Sequence, residues 1–158
     1  LSCDSNQLSK LVTTNNEKLI GLNCANNQLS ELDVTKNIEL LTFFCWNNRL
    51  SNLDVTKNTK LSVFHCSNNK LSELEISQCV NLKHLFCSAN KLSSLNVTKN
   101  VELECLSCDN NQLKDLDVTK NVELKELQCA SNKFTSLDVS KNTKLTNFHH
   151  DENVTIIK

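Results

Sequence analysis

The chain has 158 residues, enough for one domain, and a formal net charge of −1, which gives no strong field for nucleic acid or an anionic membrane. No apolar run reaches membrane-spanning length, so direct membrane insertion is not expected. Pro is absent and Gly occurs once, at Gly21, whereas Asn is abundant. Asn is the non-Gly residue that best tolerates left-handed backbone, so it is expected to make the turns.

Taken in chain order, one unit recurs. The chain opens on LSCDSNQL, Leu1 to Leu8, already a complete unit, which suggests a fragment of a longer array. Cys3 is followed at intervals of 21 residues by Cys24, Cys45, Cys66, Cys87, Cys108 and Cys129, with His150 at the next step. An apolar residue stands two before each of these, as in Leu22, Phe43 and Phe64. Three residues after stands Asn, as in Asn27, Asn48 and Asn69, and five after stands Leu or Phe. The second half of the unit repeats as LDVTKNIEL, Leu32 to Leu40. It carries a Leu column, a Val column and a second Asn column. A fixed period in this range means a solenoid, because one coil buries too little to be stable alone. The LxC segments are expected as short parallel strands, and the LxV segments as a second extended stretch on the opposite face. The Asn columns are expected to satisfy backbone groups along the stack.

The third coil holds FFCWNN, Phe43 to Asn48, with the chain's only Trp. Successive strand side chains point to opposite faces. Phe43 and Cys45 belong to core columns, so Phe44 and Trp46 are expected outward on the sheet surface. Stacking then puts Phe44, His65 and Phe86 in one row, with Trp46 beside it and His84 near. Phe44, Trp46, His65, His84 and Phe86 are the candidate ligand-binding residues, an exposed aromatic patch tuned near pH 6–7 through His65. The competing expectation is that these rings simply pack on each other and cover the sheet.

The ladder cysteines read as buried, reduced fillers, since neighbours in register on parallel strands poorly suit disulfide geometry. Cys79 replaces an Asn of the second column and is expected inside. Cys105, three before Cys108, is expected at an outward or rim position and as the first thiol to react. His84, Cys105 and Glu126 stack in that order, which puts the thiol in the middle, where a cysteine protease needs the imidazole. No catalytic residue, metal site or cofactor is assigned. Lys36, Lys57, Lys99, Lys120 and Lys141 run beside Asp33, Asp54, Glu75, Asp117 and Asp138, two offsetting ladders. At the far end the columns fail: Thr155 replaces Leu, and Lys158 falls where Leu137 calls for another Leu. Residues 150–158 therefore read as a decaying terminal coil of a single domain, 1–158.

The columns resemble the leucine-rich repeat, whose signature LxxLxLxxNxL is matched along essentially the whole chain, with Cys where the third Leu often sits, as in LKHLFCSANKL, Leu82 to Leu92. The 21-residue unit with its LDVxxN half is similar to a bacterial class related to the internalin-type surface proteins. The typical internalin unit is a residue longer and carries Pro, so the resemblance is to the wider class. It implies a right-handed solenoid (α/β by family convention, mostly β here) of about 7.5 coils. It also implies a non-catalytic module that binds a protein ligand, a host or cell-surface protein, in an extracellular or bacterial cell-surface adhesin or virulence-type protein. Two other roles fit the resemblance: a structural spacer in a surface protein, and an intracellular regulatory module, which unpaired Cys would suit. The uncapped apolar first coil adds an expectation of self-association through that end.

Overall fold

The computed structural model describes residues 1–158. It contains nine three-residue strands and no helix: β1 (Gly21–Asn23), β2 (Thr42–Phe44), β3 (Val63–His65), β4 (His84–Phe86), β5 (Cys105–Ser107), β6 (Glu126–Gln128), β7 (Ser136–Asp138), β8 (Asn147–His149) and β9 (Thr155–Ile157). Seven of these form one parallel sheet in the order β1-β2-β3-β4-β5-β6-β8, and Ser2 extends it by an isolated bridge to Asn23. Each pairing in this sheet has a register of 21 residues, so every column of the sequence is a physical row. The result is a solenoid of about seven coils.

The inner columns form one continuous core. Leu22, Phe43, Phe64, Leu85, Leu106 and Leu127 are all inaccessible, as are the ladder thiols from Cys24 to Cys129. The rings of Phe43 and Phe64 stack with centroids 5.4 Å apart and planes 9° from parallel. Burial fades only at the ends, where Cys3, Leu8, Leu11 and Leu19 at one end and Leu145, Phe148 and Ile156 at the other are partly covered. That is the behaviour of a one-dimensional stack in which each coil is sealed by its neighbours.

Asparagine sets the corners. The Asn111 side-chain amide donates to the carbonyls of Cys87 and Cys108 at 3.1 Å, and its Oδ1 accepts the Leu92 N–H at 3.0 Å. Asn27, Asn48, Asn69, Asn90 and Asn132 repeat the same bonds, clamping each coil to the one before. The residue just before this column has positive φ in seven coils; Asn supplies it at Asn26, Asn47, Asn68 and Asn110, as its tolerance of left-handed backbone predicts. In the second column, Asn37, Asn58, Asn100, Asn121 and Asn142 donate to two carbonyls of the preceding coil. Cys79, buried as expected, aims its Sγ at the equivalent pair, the Val55 and Asn58 carbonyls at 3.6 and 3.7 Å.

The LxV segments, expected as a second extended stretch, pair as strands only at β7 and β9. Elsewhere the segment feeds a tight turn in which the Val carbonyl accepts from the second-column Asn three residues on, as Val34 does from the Asn37 N–H at 2.9 Å. One expectation needs correction, that for the last columns. Ser136 pairs with Thr155, nineteen residues on instead of 21, so Ile156, not Lys158, lies opposite Leu137. A turn shortened by two residues keeps Val154 buried and Ile156 packed against the core.

Candidate functional site

The outward face of the seven-stranded sheet carries the candidate residues. Register pairs Phe44 with His65 and His65 with Phe86, so the three stand in one row across β2, β3 and β4. The His65 ring is the hub. It stacks on Trp46 with centroids 5.6 Å apart and planes 23° from parallel. Phe44 meets it edge-on at 6.5 Å, and Phe86 lies tilted against it at 5.0 Å. Face-offset and edge contacts at these separations are the favoured aromatic geometries. His84 belongs to the neighbouring row, between Val63 and Cys105, and stacks with none of the four. All five candidates are half-buried. The patch is therefore less open than a freely exposed one, because the rings cover each other, yet each keeps a solvent-facing surface.

Burial is also the only cause acting on the His65 imidazole, and it depresses the pKa below the ordinary 6.5. The ring is neutral at pH 7. The window of pH 6–7 expected from the sequence moves down accordingly.

Cys105 departs from expectation. It occupies the outward row but is 7 % exposed, held between His84 and Glu126. Burial, then the Glu126 charge and its hydrogen bond, push the thiol up to about 11. The row crowds a small side chain between two long ones, which a face assignment from alternation alone does not reveal. The ladder thiols are further from reactivity: burial raises Cys24 to about 12, and Cys45, Cys66, Cys87 and Cys108 well above their normal value. All nine cysteines are free, and Cys3 alone is not buried.

Beyond the aromatic row, a polar cluster follows. The Ser88 and Ser107 hydroxyls lie 2.7 Å apart and reach Asp109 Oδ1 at 2.7 and 3.0 Å, so two hydroxyl protons are shared among three close contacts. Burial alone would raise the Asp109 carboxyl, but hydrogen bonds from Ser88, Asn110 and Ser107 hold it below the usual carboxylate range. The acidic ladder of the second half is structural too. Asp33, Asp54 and Asp117 each accept the N–H and hydroxyl of the Thr two residues on. Sequence reasoning passed over an exposed apolar row on the edge away from the sheet, formed by Val80, Val101 and Val122 with Ile38 further along. The signal was present just after the second Asn column, as NVEL at Val101 and Val122, CVNL at Val80 and NIEL at Ile38. A surface cleft lies elsewhere again, among the second-half segments of coils one to three, lined by Lys10, Thr14, Glu31 and Asp54.

No family profile matches the chain, and no curated protein matches it in sequence. Solved structures do. The functional domain of InlJ from Listeria monocytogenes, described as including a cysteine ladder, is 31% identical over 96% of this chain, with a TM-score of 0.70. The chain is an internalin-like leucine-rich-repeat solenoid. An internalin, InlF, from Listeria monocytogenes superposes over 92% of the chain with a TM-score of 0.81 at 22% identity. A leucine-rich-repeat protein of Leptospira interrogans does so over 99% with a TM-score of 0.89 at 24% identity. These last two likenesses are of fold. The internalin-like chain spans less than half of each of the three: 43%, 45% and 43% of their lengths.

Proposed function

We propose that this solenoid is a non-catalytic protein-binding module whose binding surface is the outward sheet face, centred on Phe44, Trp46, His65 and Phe86, with His84 at its margin. The observation that carries the reading is the His65-centred cluster, in which three aromatic side chains converge on one imidazole within 6.5 Å. Large, rigid rings lose little entropy on contact and are the usual anchors of protein interfaces. None of the four is needed to fill the core, which the Leu, Phe and Cys columns complete without them. The resemblance of the repeat to internalin-type surface proteins, together with the 31% identity to InlJ, supports a bacterial surface or secreted setting and a partner on a host or neighbouring cell. Nine free thiols do not argue against an extracellular site, since eight are buried. Against catalysis stands the state of Cys105: its thiol is held by Glu126 and pushed towards the protonated form, the reverse of what a nucleophile needs.

Trp46→Ala tests the reading. Partner affinity is expected to fall by about 2 kcal/mol or more, while the unfolding midpoint barely moves. Unchanged affinity for a validated partner, or loss of the fold, refutes it.

A further inference from the structure

Beside the aromatic patch runs a row of unpaired cations. Arg49, Lys70 and Lys91 occupy the fourth position after the cysteine column in coils three, four and five, with Gln28 before them and Gln112 after; Lys133 follows in coil seven and donates to Gln112 Oε1 at 3.2 Å. These are the coils that carry the patch. Arg49, Lys70 and Lys91 are exposed, and their backbones are locked alike, each N–H bonding a carbonyl of the preceding coil at 2.8 Å. They therefore stack at the coil spacing of ~4.8 Å. None takes part in an ion pair; the chain's ion pairs are Lys60–Glu39, Lys83–Glu104, Lys125–Glu104 and Lys144–Glu123. Arg49 follows Trp46 by three residues, a span of at most ~11 Å, within reach of one bound segment.

The acids of the sheet face behave differently. Asp4, Asp109, Glu126 and Asp151 all lie outside coils three to five, and each already has donors of its own chain. Ser2 and Ser5 serve Asp4; Ser88, Ser107 and Asn110 serve Asp109; Gln128 and Asn147 serve Glu126; the Ser131 N–H serves Asp151. The negative charge of the sheet face is thus already bonded and set to either side, and against the three free cations one free acid, Glu73, stands three residues after Lys70.

The geometry points to an acidic, extended protein segment as the occupant of this face: its apolar side chains sit on Trp46, Phe44 and Phe86, and its carboxylates reach Arg49, Lys70 and Lys91. This rests on the sheet face being the binding surface, and it adds the chemistry of the partner. A protein segment is favoured over a polyanionic glycan because a uniformly charged polymer has no use for the aromatic row, whereas a strand of alternating character matches both rows at once. Three exposed charge pairs, each giving about two- to five-fold in affinity, set the scale of discrimination at roughly ten-fold or more.

Trp46 is the only Trp, so its fluorescence reports the patch directly. The probes are a ten-residue peptide carrying two Phe among Glu residues, its counterpart with every Glu replaced by Lys, and heparin as a polysulfated glycan. The acidic peptide is expected to shift Trp46 emission and bind at least ten-fold tighter than the Lys counterpart. Its affinity should fall about ten-fold in the Arg49→Gln, Lys70→Gln, Lys91→Gln variant, which touches no buried group, and fall with rising salt. Equal or tighter binding of the Lys peptide overturns the acidic partner while leaving the patch as the binding surface. No emission change with the acidic peptide up to millimolar also overturns it, and Trp46→Ala against a protein partner still decides the patch. Tighter binding of heparin that calorimetry finds indifferent to Trp46→Ala overturns both.

Discussion

The Val column should accept one particular polar substitution. In coils two to seven, except coil four with its Cys79, the second-column Asn donates to two carbonyls, but Oδ1 of Asn58, Asn100, Asn121 and Asn142 is buried with no donor. Asn37 is the exception, and the reason is Thr13. That residue stands where the other coils place Val or Ile, and its hydroxyl lies 2.8 Å from both Asn37 Oδ1 and the Asp33 carbonyl. Val97 holds the same place relative to Asn121 and Asp117 as Thr13 does to Asn37 and Asp33. A Val→Thr change in a core normally costs about 1–3 kcal/mol for the buried hydroxyl. Here the hydroxyl meets two waiting acceptors, gains a hydrogen bond worth about 1 kcal/mol, and relieves an unsatisfied oxygen. Val97→Thr is therefore expected to fall between neutral and about 1 kcal/mol stabilising in urea unfolding. In an Asn121→Ala background the same change should be destabilising, giving a coupling of about 1–2 kcal/mol. A cost of 2 kcal/mol or more in the native background, or no coupling, refutes the argument.

Cys79→Asn should be stabilising by about 1 kcal/mol, because an amide would bond the Val55 and Asn58 carbonyls that a thiol reaches only at 3.6 and 3.7 Å; calorimetry should show the midpoint rise by a few degrees. Thiol labelling of the native chain should be confined at first to Cys3, with Cys105 as slow as the ladder; early modification of Cys105 on peptide mapping would contradict its burial between His84 and Glu126. His65 should confer a pH dependence of definite sign. Its folded pKa lies below the unfolded value near 6.5, so the unfolded state binds more protons. Stability contributed by the neutral ring is full above that value and declines as pH falls through the folded pKa. Urea midpoints measured from pH 8 to pH 4.5 should drop more for the native chain than for His65→Gln; parallel curves would count against it.

Most of the architecture was legible because the chain states it seven times. A column that repeats every 21 residues is a row once strands pair in register, so Leu22, Phe43 and Phe64 could be placed inside, and Phe44 and Phe86 outside, from spacing alone. What was not legible depends on lateral contacts between rows. Alternation put Cys105 on the outer face correctly but said nothing of His84 and Glu126 closing over it. The same holds for His65, whose lowered pKa comes from rings in neighbouring coils. The register at the far end was misjudged because a two-residue shortening of the last turn breaks the fixed period on which the assignment of Lys158 relied.

The core beneath the patch bears on how the patch would work. Phe replaces Leu in the column two before Cys at Phe43 and Phe64, in coils three and four, and their stacked rings lie directly under Phe44 and His65. Strands β2 and β3 are thus held between an inner stacked pair and an outer cluster of rings, while β5 and β6 carry Leu inside and small or polar side chains outside. Bulky, rotamer-poor side chains on both faces leave the local backbone few ways to move. Binding then requires little ordering of the receptor, and that saving appears as affinity. The fixed columns supply stability to every coil alike. The aromatic replacements Phe43, Phe44, Trp46, Phe64 and Phe86 are concentrated in the coils that carry Arg49, Lys70 and Lys91, and that coincidence is what favours the proposed recognition surface over another length of spacer.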